Sequence, residues 1–144
     1  MKLVNSILVT LSLIVVLSSC HKEGCTDTMA DNYDADATTE NFTCSYSGNL
    51  IFWSTIATRD SLINLGHTML RFELEGALVD SMATASFSAS SGDCNSAGAK
   101  TISRTMVGNT ERTYKYRVKG NGFVTVYEGF VTVEADDCAA VKFW

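Results

Sequence analysis

The sequence holds two histidines, His21 and His67, and no proline in 144 residues. So few histidines leave little material for general-base chemistry. His21 adjoins Cys20, and His67 stands alone before a strand-like stretch, a setting more usual for a surface residue than for a base. Gly-x-Ser-x-Gly, His-Glu-x-x-His and a phosphate-cradling glycine loop are all missing, which removes the familiar hydrolase and nucleotide-binding signatures. The adjacent acids Asp136 and Asp137 read as solvated turn residues beside Cys138. The expectation is a protein that is not an enzyme. Positive charge is scarce as well, with 11 Lys and Arg against 16 Asp and Glu and a net charge of -5. Such a chain is not drawn to nucleic acid, nor by charge to an anionic membrane. No close Cys-x-x-Cys pair is present to hold zinc. There is no apolar run of the roughly 20 residues that a permanent spanning helix needs. From the missing proline no function follows.

What is present begins at the amino terminus. Lys2 precedes an apolar stretch over 7–17 that is broken only by Thr10 and Ser12. This is the length of a signal-peptide core rather than of a membrane span. The stretch ends in Leu17-Ser18-Ser19-Cys20, which resembles the lipobox of bacterial lipoproteins: an apolar residue, two small residues and the cysteine that is acylated and becomes the new amino terminus. The resemblance implies a signal peptide over 1–19 and lipidation at Cys20. Several acyl chains on one cysteine give a durable peripheral anchor, since each buried CH₂ contributes about 0.8 kcal/mol. Cleavage removes one base and no acid, leaving 10 Lys and Arg against 16 Asp and Glu. Membrane attachment would then rest on the lipid. The residues that follow, His21-Lys22-Glu23, partly resemble the export signal of surface-exposed lipoproteins, so the expected location is the cell envelope, lipid-anchored at the outer membrane.

With Cys20 committed to lipid, Cys25, Cys44, Cys94 and Cys138 remain, an even number in a compartment where disulfides persist. Four cysteines allow three pairings. Cys25 with Cys44 and Cys94 with Cys138 is the favoured one, because the first two bracket a distinct segment and the last two lie in the β-rich part.

Positions 20–48 form the lipidated amino terminus and an acidic module rich in Asp, Asn and Thr, too poor in large apolar residues to build a core alone. Gly24-Cys25-Thr26-Asp27, Ala30, Asn32-Tyr33, Ala37 and Cys44 followed by Tyr46 resemble a cysteine-bounded module of secreted and surface proteins in some Gram-negative bacteria. The resemblance implies that Ala30, Tyr33 and Ala37 make the small apolar centre of a disulfide-closed turn structure. Asp27, Asp31, Asp34 and Asp36 are oxygen ligands of the kind Ca²⁺ collects. Their spacing does not follow an EF-hand, and Glu40-Asn41-Phe42-Thr43 stands where the resembling modules carry an Asp-Asp-Gly-Ser. Two readings therefore stay open, a Ca²⁺ site or a solvated spacer without a cofactor.

Positions 49–144 read as a β-sandwich domain. Leu70, Phe72 and Leu74 alternate with Arg71, Glu73 and Glu75, and Tyr114, Tyr116 and Val118 with Lys115, Arg117 and Lys119, the period of a half-buried strand. Further strands are expected over 50–57, 78–88, 100–106, 123–134 and 139–144, with no helix, and with a bulge at Gly129 where the alternation changes phase. The fold class is all-β: a small antiparallel β-sandwich preceded by a short disulfide-closed irregular module. Leu50-Ile51-Phe52-Trp53, Cys94, the stretch from Tyr127 through Val133, and Cys138 before Val141-Lys142-Phe143 resemble small domains of uncharacterised lipoproteins from the same bacteria, and this implies a sandwich with an inter-strand disulfide. Trp53, Tyr127 and Trp144 are the candidates for an aromatic binding face. The functional expectation is a non-catalytic surface or envelope module, binding or structural, whose partners are the membrane through its lipid and an unidentified protein or glycan. The alternative is a Ca²⁺-stabilised carbohydrate- or peptide-binding module.

Overall fold

A computed structural model of the chain describes residues 21–143. The expected signal peptide, the expected lipidation site Cys20 and Trp144 lie outside the described residues. The described chain divides into two compact units, one ending at Cys44 and the other starting at Ser45. The division thus falls at the start of a strand rather than after position 48.

The first unit has little regular structure. β1 (Glu23–Gly24) and β2 (Thr39–Glu40) pair in parallel over two residues each, and a disulfide joins Cys25 to Cys44. Gly24, Cys25, Ala30 and Cys44 are buried. Tyr33 is 43 % exposed, so the apolar centre consists of the disulfide and small residues without the tyrosine ring.

The second unit is all-β with one short helix. Its seven strands are β3 (Ser45–Trp53), β4 (Met69–Leu74), β5 (Ala77–Ala83), β6 (Lys100–Val107), β7 (Glu111–Lys119), β8 (Thr125–Glu134) and β9 (Cys138–Lys142). They form a three-stranded sheet in the order β6-β3-β9 and a four-stranded sheet in the order β5-β4-β7-β8. β3 is central in its sheet, and Leu50, Ile51 and Phe52 are all fully buried, as a strand covered on both faces requires. Five of the six strand pairs in the described chain belong to this unit, and four of the five are antiparallel. The exception is β9, which runs parallel to β3 from Asn49/Cys138 to Trp53/Lys142. A long return over the four-stranded sheet separates these two strands in sequence, so no tight hairpin constrains their direction.

The inner faces close on an aromatic cluster. Phe52 lies 5.0 Å from Phe72 and 5.5 Å from Tyr116, and Phe143 lies 4.9 Å from Tyr127 and 5.1 Å from Phe87. The alternating residues Leu70, Phe72 and Leu74 of β4, and Tyr114, Tyr116 and Val118 of β7, are all buried as the period of two requires. The second disulfide, Cys94 to Cys138, ties the loop before β6 to the first residue of β9.

Two local expectations are corrected. Positions 54–57 are not strand: β3 stops at Trp53 and the chain enters the helix α1 (Ile56–Asn64), whose first turn is capped by Thr55 accepting from the Thr58 N–H. Only Thr58 and Leu62 of that helix are buried, so it carries no apolar stripe that a periodic reading could detect. The bulge in β8 falls earlier than Gly129. The register steps from Val118/Tyr127 to Lys119/Thr125 and leaves Val126 as the extra residue. That step accounts for the change of phase along the strand.

Candidate functional site

In β6, Ile102 and Met106 face inward and are buried, at 7 % and 1 % exposure. Arg104 sits midway between them on the same face of the pleat, so an arginine enters the inter-sheet space between two apolar neighbours. Its Nε is buried and has no hydrogen-bond partner among the described residues. Across from it, at the entry of β7, Arg112 shares the inward parity of Tyr114 and Tyr116, and its guanidinium carbon stands 5.2 Å over the Tyr114 ring.

These groups line an open cleft of about 300 Å³ at the end of the sandwich, together with Leu74, Glu75 and Thr105. Leu74 closes β4, and Glu75 and Gly76 make the turn into β5 with φ of 50° and 81°. That turn aims the Glu75 carboxylate back at β7, where Oε1 accepts the Lys115 N–H at 2.6 Å. The one carboxylate on the wall is therefore held by backbone. Arg117, Lys119, Lys100, Arg59 and Lys22 form ion pairs, whereas among the described residues Arg104 and Arg112, like Arg71, Lys115 and Lys142, form none. In a chain with a net charge of -5, the cleft gathers two arginines against the single carboxylate of Glu75. Chemically the cleft offers guanidinium donors, an aromatic face and aliphatic walls. Arginine stays protonated at any physiological pH, so this set holds and orients a ligand rather than shuttling protons.

The residues singled out from the sequence are distributed differently. Phe52 faces the aromatic core, so its neighbour Trp53 points to the opposite face of the three-stranded sheet. There Trp53 is half-buried, with Lys142 Nζ 5.1 Å from its ring, and its indole nitrogen fills the space that a Cβ at Gly92 would need. Tyr127 is on the inner side, stacked 6.0 Å from Tyr116. The fold thus puts Trp53 and Tyr127 on different faces, and they form no common stacking surface. Tyr116, in that stack, has its phenol pKa pushed up by burial and by Tyr127. His67 packs its ring over Gly120 and accepts the Asn121 N–H at Nδ1, while Asn121 bonds Gly66 and Thr68. This is a clasp between two loops.

In the first unit, Lys22 bonds Asp34 at 2.8 Å and lies 3.6 Å from Asp36. The hydrogen bond from Lys22 and the Asp36 N–H hold the Asp34 carboxyl below its ordinary pKa. Asp27 Oδ1 accepts the Met29 N–H in its own turn. Asp27, Asp31, Asp34 and Asp36 form no group of three metal-ligand atoms within 4.8 Å. Among the described residues the one such group is Cys25, Glu40 and Cys44, and both of its sulfurs are spent in the disulfide.

The sequence signal for Arg104 is its place as the charged residue between Ile102 and Met106 on one strand face, and it is not among the residues expected at a site from the sequence. Comparison with protein-family models, with curated proteins and with solved structures finds no match to the chain.

Proposed function

We propose that this chain is a lipid-anchored lipoprotein of the bacterial envelope, attached through Cys20 at the outer membrane, whose β-sandwich is a non-catalytic binding module. The anchor rests on the tetrapeptide Leu17-Ser18-Ser19-Cys20 at the end of a short apolar run. A binding role, rather than a purely structural one, rests on Arg104. Arg104 faces inward with an unpartnered buried Nε and lines the cleft, a placement that costs stability and that a ligand on the exposed end of the guanidinium would offset. The charge of the mature chain would leave the lipid as the only general attraction to the membrane.

The anchor is tested by intact mass of the protein purified from membranes, before and after reduction and alkylation under denaturing conditions. The expected result is an acylated chain starting at Cys20 that takes up alkylating agent at four sites only after reduction. A mass that retains residues 1–19 would overturn the address. Cys20→Ala should move the protein out of the membrane fraction.

A further inference from the structure

The binding reading leaves the ligand open, and the composition of the cleft narrows it. We infer that the Arg104/Arg112 cleft binds a small organic anion, a carboxylate- or phosphate-headed molecule with an apolar or aromatic body. The inference rests on the binding role just proposed and assigns its ligand class.

Four observations converge on that class. Arg104 lines the opening and has neither an ion pair nor a hydrogen-bond partner for its buried Nε among the described residues, so the end of its guanidinium, rather than Nε, is the part available to an anion. Arg112, poised over Tyr114, brings a second guanidinium to the same opening. A planar fork of N–H donors matches the two oxygens of a carboxylate or of a phosphate edge. Glu75, the acid on the wall, turns Oε1 to the Lys115 N–H and forms no ion pair with either arginine among the described residues. Of the remaining walls, Thr105 adds one polar residue, and Leu74, Ala77 and the Tyr114 ring are apolar. A bare inorganic anion would leave that surface wet, whereas an attached hydrocarbon or aromatic group covers it. The cleft volume of about 300 Å³ is at the lower end of small-molecule sites and sets the scale of the ligand to one ring or a short chain.

The test uses four probes with matched bodies: benzoate, benzyl phosphate, benzamide and benzylamine. Each is titrated into ¹⁵N-labelled full-length protein purified in a non-ionic detergent, with amide shifts read at positions 74–77, 104–105 and 112–114. Benzoate or benzyl phosphate, or both, should move these amides saturably, and the tighter of the two identifies the head group. Benzamide and benzylamine should not. Arg104→Gln and, separately, Arg112→Gln should each weaken the anion at least about tenfold, the loss expected for one charge-assisted hydrogen bond. The variants' remaining amide spectra and melting temperature report whether the sandwich is intact. Equal shifts from benzamide and benzoate would overturn the anion class while leaving a binding cleft in place. Saturable shifts that both variants retain in full would place the anion elsewhere and also overturn the inference. No shift in the cleft from any probe would overturn the inference and remove the support for the binding role.

Discussion

Tyr116 lies across the β7–β8 pair directly over Gly129, its register partner. A Cβ added at position 129 would come within 2.6 Å of the phenol oxygen and 2.9 Å of the ring carbon that bears it. Glycine in a strand ordinarily weakens it. Here the bare backbone gives the ring a floor, and the ring in turn covers the backbone and stacks on Tyr127. Gly129→Ala should therefore destabilise the second unit by about 1–3 kcal/mol, the usual cost of overpacking. Chemical denaturation gives the number, and the cost should shrink when Tyr116→Leu is already present. An additive double mutant would show that the ring is not what the methyl group meets.

Gly48 sets a stricter limit. A side chain there would collide with the backbone carbonyl of Glu134 and the Val133 side chain, where β3 passes the end of β8. A carbonyl in a strand cannot rotate away as a side chain can, so Gly48→Ala should cost more than Gly129→Ala. Thermal unfolding of the two variants side by side checks the order, and a Gly48→Ala protein as stable as the parent would contradict the close approach.

What the sequence made legible, and what it hid, follows from the type of signal. β4 and β7 each bury one face, so their alternation is visible in Leu70-Phe72-Leu74 and Tyr114-Tyr116-Val118. The disulfide partners were legible too, because each pair of cysteines brackets one compositional region. α1 was hidden, since a helix that buries only Thr58 and Leu62 leaves no apolar period and its mark is a single capping residue, Thr55. The parallel direction of β9 has no local signature, because it depends on which edge of β3 remains open after β6 has paired. The cleft was missed for a related reason: Arg104 and Arg112 converge only once two sheets stack, and neither belongs to a motif. Aromatic residues drew attention instead, and most of those in strands are core.

The cap on α1 gives a small, clean test. Thr55→Ala removes the acceptor for the Thr58 N–H and should lower stability by about 1 kcal/mol. Thr55→Ser, which keeps the hydroxyl, should recover most of it. Equal losses in the two variants would mean that the methyl group, and not the cap, is what Thr55 contributes.

The acidic module should respond to pH in a defined direction. Its Asp34 carboxyl lies below the ordinary value of 3.8, through the Lys22 hydrogen bond and the Asp36 N–H. Glu40 lies below 4.5, chiefly through the N–H and hydroxyl of Thr26, with the Phe42 N–H adding to them. For a carboxyl whose folded pKa is depressed, the stabilisation is complete above the unfolded value and is lost as pH falls through the folded one. The first unit should thus keep its structure at neutral pH and loosen only on acidification below about 4, the carboxylate range. Carboxyl-detected NMR titration should place both midpoints below 3.8 and 4.5 respectively, and midpoints at or above those values would dissolve the Lys22 and Thr26 pairings.

Reduction should separate the roles of the two disulfides. In the chain-entropy view, the bond Cys25–Cys44, spanning 19 residues, contributes about 3 kcal/mol, and Cys94–Cys138, spanning 44, about 4 kcal/mol. The first unit has almost nothing else: two-residue strands and a centre made of the disulfide itself with Gly24 and Ala30. The second has the buried aromatic cluster of Phe52, Phe72, Phe87 and Phe143. The smaller entropic term therefore matters more where it acts, because what counts is its share of the local stability rather than its size. Cys25→Ser with Cys44→Ser should abolish amide protection over 25–44. Cys94→Ser with Cys138→Ser should lower the melting temperature of the sandwich yet leave β4 and β7 protected. Hydrogen exchange by mass spectrometry reads both, and protection that persists across 25–44 without its disulfide would show that the acidic turns hold themselves.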